Sequence, residues 1–152
     1  MTKPFFDTSI LIGGLIDLGD SSTVPIAIID KVAAGAISNA CTAWHCCLEF
    51  YSVATRLPEE FRLLPHVALQ LLDNEVLARL RIGFLPENHR RAFLLDAVAG
   101  HIAGGRIYDA HIGYIAMRMG ASVIVTENKK HFNTVLNKGL PVLSAREYLD
   151  SL

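Results

Sequence analysis

The sequence predicts an α/β fold, a three-layer α/β/α sandwich around a central parallel sheet. Three observations lead there. Strand-length apolar segments alternate with helix-length segments along the whole chain, the pattern of strand–helix–strand units. Val123-Ile124-Val125 is β-branched throughout, as suits a strand in the middle of a sheet. Polar residues recur where apolar strands end and helices begin, and in parallel sheets functional groups gather beyond those carboxyl ends. At 152 residues the chain matches one domain, 1–152. A domain of this size buries roughly two-thirds of its unfolded surface and needs no staple.

Taken in order, Lys3 to Phe6 forms a short apolar strand. Asp7-Thr8-Ser9 ends it and caps a helix over Ser9 to Ile16, since these side chains satisfy free amides at a helix start. Asp17 to Ser22 is polar and glycine-bearing, a loop. Val24 to Ala34 is helical, with Pro25 tolerated in the first turn and Gly35 ending it. Ile37 to Thr42 reads as the second strand, and Ala43 to Arg56 as a helix with Cys46, Phe50, Val53 and Leu57 on one stripe. Pro65 opens a helix reaching Leu77; Leu80 to Leu85 alternates as a strand; Pro86 starts a helix that continues to Ile102. After Gly104-Gly105, Asp109 opens an amphipathic helix to Met119, capped by Gly120. Ser122 to Val125 is the next strand. A polar loop with a short helix, an edge strand from Pro141 to Leu143, and a last helical turn from Ala145 to Leu149 complete the chain.

Composition narrows the function classes. Fourteen Lys and Arg face 15 Asp and Glu, which excludes coating nucleic acid by bulk positive charge. The basic residues are skewed, with only Lys3 and Lys31 in the first fifty positions. Mean hydropathy is high, +0.34. Yet Asp30-Lys31, His45, Glu49, Asp96 and His101 break every apolar run short of the roughly 18–20 residues a membrane span needs. Asp7 interrupts the start before any signal-peptide core forms. The expectation is a soluble cytoplasmic domain whose apolar surface serves self-association. Cys41, Cys46 and Cys47 lack the spacing of a zinc knuckle and read as free thiols.

Four positions answer the description of strand-end or helix-opening polar groups: Asp7, Glu49, Asp109 and the run Thr126-Glu127-Asn128. Glu49 borders the apolar stripe of its helix with no Lys or Arg at helical spacing, and an unpaired carboxylate there is costly. Two carboxylates about 5 Å apart repel by roughly 3 kcal/mol at an effective dielectric of 20. If Asp7, Glu49 and Asp109 converge, protons or a cation must relieve them. All-oxygen donors favour Mg²⁺ or Mn²⁺, the ions of phosphodiester hydrolysis, over zinc. Taken singly, Asp7 reads as an N-cap and Asp109 as a first-turn acid facing a helix dipole. Only their joint placement at strand ends points to a site.

In order and spacing, Phe5 to Leu11, Cys47 to Tyr51, Tyr108 to Ala116 and Val125 to Phe132 resemble the four motifs of PIN domains, most nearly the VapC-like toxin ribonucleases of type II toxin–antitoxin modules. The resemblance runs from Lys3 to Tyr148. It implies a PIN-like sandwich with Mg²⁺- or Mn²⁺-dependent cleavage of single-stranded RNA. Carried over, Asp7, Glu49 and Asp109 would be metal ligands and catalytic acids. Thr126 would support the site from its strand, and Asn128 falls where many members have a fourth acid. Arg106, Lys129 and Lys130, beside the acidic motifs, would hold RNA. The resemblance further implies a protein antitoxin inserting near the acidic groove, and a homodimer. His111 and His131 read as ordinary surface or core histidines, and Ser9 as a helix cap. A non-toxic RNA-processing nuclease and a catalytically silent binding module, suggested by Asn128 and the balanced charge, remain open. A phosphatase with Asp7 as nucleophile lacks the second Asp two residues on, where Ser9 stands.

Overall fold

The computed structural model describes residues 2–152. Five strands, all parallel, form one sheet in the order β3-β2-β1-β4-β5. They are β1 (Pro4–Phe6), β2 (Cys41–Ala43), β3 (Arg81–Gly83), β4 (Val123–Val125) and β5 (Val142–Leu143). The middle place belongs to β1. β4 lies beside it and is also interior, which agrees with its β-branched sequence. β5 is an edge strand, as its shortness and the preceding proline suggest.

Among the described residues, eight α-helices flank the sheet: α1 (Thr8–Leu15), α2 (Thr23–Ala33), α3 (Trp44–Ala54), α4 (Pro65–Leu71), α5 (Arg90–Ala99), α6 (Arg106–Arg118), α7 (Asn133–Asn137) and α8 (Ala145–Asp150). α1 packs on α2 and α3, and α8 on α2, while α6 packs between α5 and α7. One continuous core of Phe5, Phe6, Ile10, Leu11, Phe50, Ile112, Ile115 and Ile124 joins sheet and helices. No single helix among the described residues is long and apolar enough to cross a membrane. The high hydropathy is instead absorbed by this core, to which α1 and α2 contribute Ile10, Leu11 and Ile28.

Several boundaries differ from the sequence reading. The second strand is Cys41–Ala43, not 37–42, because Asn39 takes a left-handed conformation (φ 58°) that interrupts any extended run. The helix expected over 86–102 begins with a short 3-10 turn, Glu87–His89, and stops at Ala99, two residues before His101 turns left-handed at φ 55°. The one expected over 65–77 widens into a π-helical stretch from Leu72 to Leu77. α6 opens at Arg106, so Asp109 lies one turn inside it rather than at its start. Gly83 is required by close packing: a Cβ there would run into Met119 and Ile115. All three cysteines are free and buried. Burial pushes the thiols up, Cys46 to about 12 and Cys41 and Cys47 to about 11, so they behave as small hydrophobes.

Candidate active site

The chain leaves β1 toward β2 and β3 on one side of the sheet, then returns to build β4 and β5 on the other. The carboxyl ends of β1 and β4 therefore frame a topological switch point, the crevice where open parallel sheets bind ligands. Phe6 is in register with Val125, so the next residues, Asp7 and Thr126, leave adjacent strands side by side. The Asp7 amide continues the ladder by donating to the Val125 carbonyl at 3.1 Å.

Asp7 occupies the N-cap position of α1, yet its side chain makes no capping bond. It turns to β4 instead. Thr126 Oγ donates to Asp7 Oδ2 at 2.7 Å, and Thr126 Oγ accepts from the Asn128 amide at 3.0 Å. Ser9, expected to cap a helix, bridges the same two loops: Oγ lies 3.4 Å from Asp7 Oδ2 and accepts from the Glu127 amide at 3.0 Å. Asp7 is buried at 6% exposure and Thr126 at 0%. Burial raises the Asp7 carboxyl above its ordinary 3.8. The Thr126 bond and the Thr8 backbone oppose that rise, while the charges of Glu49 and Asp109 add to it.

Glu49 departs from expectation. Its side chain is 43% exposed, so it is no deeply buried charge. It has partners: Thr8 Oγ1 donates to Oε1 at 3.0 Å, and His45 Nε2 lies 3.4 Å from the same oxygen. Thr8 thus serves Glu49, while its neighbour Ser9 serves Asp7. Asp109 meets His131, whose Nδ1 is 3.5 Å from Oδ2. Each of the three acids therefore has its own polar side-chain partners, shared with neither of the others.

Asp7, Glu49 and Asp109 line one pocket of about 460 Å³, together with Ser9, Asn128 and His131. Ile12, Leu18, Pro25 and Val53 supply apolar wall. Glu127 also reaches the pocket, but its Oε1 accepts from the Ala145 amide at 2.8 Å. That occupies its carboxylate at the start of α8. Arg106, Lys129 and Lys130 are exposed and none lines the pocket. Lys129 pairs with Glu147 at 2.7 Å, and this bond, with the Ser144 cap, holds Glu147 down to about 2. Among the described residues, no three His, Cys, Asp or Glu side chains stand close enough to enclose a metal ion by themselves. The donors that converge are hard carboxylate oxygens with room for water, which fits an ion such as Mg²⁺ that keeps much of its hydration shell.

Sequence reading missed the histidines. His45 stands four residues before Glu49 on α3, a spacing that brings side chains together, and was legible had imidazole been sought beside lysine and arginine. His111, expected to be an ordinary histidine, packs against His45, with Nδ1 atoms 3.3 Å apart. Burial, and then His45, push it below its usual value. Its contact with His45 across 66 residues has no sequence signature.

Similarity to known proteins decides the family. Over 101 residues, 66% of this chain and 71% of the relative, the sequence is 32% identical to ribonuclease VapC27 of Mycobacterium tuberculosis. The chain belongs to the VapC-like PIN-domain ribonuclease family. No family model matches the chain. Solved structures of VapC-like and related proteins share the fold. VapBC-1 from nontypeable Haemophilus influenzae superposes with a TM-score of 0.61 at 16% identity, covering 94% of this chain and 98% of that one. FitAB bound to a DNA fragment gives 0.64 at 12% identity, covering 93% and 94%. VapC20 of M. tuberculosis, a toxin that cleaves the sarcin-ricin loop, gives 0.59 at 12% identity, covering 80% and 86%.

Proposed function

We propose that this VapC-like chain is a metal-dependent endoribonuclease, the toxin of a toxin–antitoxin pair, and that Asp7, Glu49 and Asp109 form its catalytic centre. The observation that carries this reading is the position of Asp7: buried at the switch point, raised by burial, and raised further by two acids lining the same pocket. Such an arrangement gains most when a hard cation enters.

Asp7, Glu49 and Asp109 would hold a Mg²⁺ or Mn²⁺ ion, in part through water. When bound, that ion polarises a phosphate and lowers the pKa of a coordinated water. The chain's own groups do the rest. Thr126 and Ser9 fix the Asp7 carboxylate, Thr8 and His45 fix Glu49, and His131 fixes Asp109. Asn128, neutral where a fourth acid would add repulsion, offers an amide oxygen at the pocket wall. Arg106 and Lys130 are available to RNA phosphates at its surroundings, whereas Lys129 must first give up Glu147.

An antitoxin that presents a basic side chain to the three acids would neutralise the charge the metal neutralises, and so inhibit by occupation. Homodimerisation would cover the exposed stripe Trp44, Leu48 and Tyr51, spaced four and three residues apart on α3. The test is cleavage of single-stranded RNA by the purified protein. Fragments should appear with Mg²⁺ or Mn²⁺ and not with a chelator; equal cleavage in chelator contradicts the reading. Growth arrest on expression, relieved by a co-expressed small protein from the adjacent gene, tests the toxin assignment.

A silent PIN-like binding module is favoured by one observation, that no three described side chains enclose a metal unaided. Heat on titrating Mn²⁺ into the protein separates the two, since a silent module releases none.

A further inference from the structure

Outside the acidic pocket, on its Glu49 and Asp109 side, a tyrosine ring stands in solvent without an explanation in the catalytic centre. Tyr108 immediately precedes Asp109 on α6 and is 60% exposed. Its ring offers a large apolar face with a polar tip, a form suited to contact with a partly apolar ligand.

Its surroundings are ordered. The ring centroid lies 5.9 Å from that of His45, at an interplanar angle of 33°. His45 is itself held at two further points, by Glu49 through Nε2 and by His111 through Nδ1. His111 packs edge-on against His45 at 5.1 Å and rests against Phe93 at 5.7 Å. The two outer rings are thus braced from the core, and bracing reduces the ordering cost of binding.

An exposed, flat π surface beside a phosphodiester site has the chemistry of a stacking platform for an unpaired base. Resting on the ribonuclease reading above, we propose that Tyr108, supported by His45, stacks a nucleobase of single-stranded RNA next to the bond that is cut. Bases already paired cannot reach the ring, so this contact selects for single strands. Direct contact with Tyr108 is sequence-tolerant, since every base has a π face.

The test uses the full chain carrying Asp7→Asn, which binds without cutting, and short single-stranded RNAs with 2-aminopurine placed at each position in turn. Stacking quenches that fluorophore. One position should be quenched, Tyr108→Ala should abolish the quench and weaken binding about tenfold, and Tyr108→Phe should restore both. Persistence of quench and affinity in Tyr108→Ala overturns the platform. So does a change of oligomeric state in Tyr108→Ala on sedimentation, which places the ring in a protein contact. Failure of the ribonuclease reading is seen separately, as intact RNA with the unmodified protein and metal while the Tyr108-dependent quench persists. If none of these proteins binds RNA, both proposals fall.

Discussion

Thr126 donates its hydroxyl hydrogen to the Asp7 carboxylate across 2.7 Å, although the two lie 119 residues apart in sequence. This bond ties the carboxyl ends of β1 and β4 and is the strongest local support for an anion at Asp7. Thr126→Val keeps the shape and removes the donor. Stability should fall by about 1.5–3 kcal/mol, the range for a hydrogen bond to a charged group. RNA cleavage should fall about tenfold or more, since each 1.36 kcal/mol of transition-state support is worth a factor of ten. Thr126→Ser should recover both. Thermal melts and initial rates check this.

Asp7 also sets a pH dependence. Its folded carboxyl lies above 3.8, so the protonated form is the one the fold prefers. The stability this contributes is full below 3.8 and is lost as pH rises through the folded value. Metal-free protein should therefore be less stable than Asp7→Asn at neutral pH, and the gap should close on acidification. Each kcal/mol corresponds to about 2–4 °C in melting temperature for a chain of this size. Paired melts across pH give the answer; an Asp7→Asn variant that melts lower at neutral pH contradicts it.

Metal binding follows the same charge logic in reverse. Mn²⁺ at about a hundred times its dissociation constant should stabilise the unmodified protein by about 2.7 kcal/mol. Asp7→Asn should show little of this shift, because the buried anion that gains most from the cation is gone.

Tyr148 packs edge-on against Phe6, and its hydroxyl is buried with no hydrogen-bond partner among the described residues. A buried, unpaired polar group costs about 1–3 kcal/mol. Tyr148→Phe should raise the urea midpoint with an unchanged slope. It lies away from the pocket lining and should leave cleavage as it was.

Much of this is legible in the sequence. Phe5-Phe6-Asp7 and Val123 to Thr126 show apolar strands ending in polar groups, and parallel sheets place such ends on one side. The strand order was not readable, because nothing local tells β1 that its neighbours are β2 and β4. Asn39 could not be foreseen to turn left-handed inside an apolar segment, a choice made by tertiary packing. Asp7 sits at an N-cap position, and propensity alone assigns its oxygens to the helix; only the neighbouring Thr126 redirects them. The Glu49 pairing with Thr8 spans 41 residues and likewise has no local signal.

The proposed activity places RNA cleavage in one acidic pocket. It is tested most directly by measuring Mg²⁺-dependent cleavage of a single-stranded RNA by the unmodified protein beside Asp7→Asn, with circular dichroism showing both folded. Asp7→Asn should lose about a hundredfold or more. Cleavage at the unmodified rate by folded Asp7→Asn contradicts it.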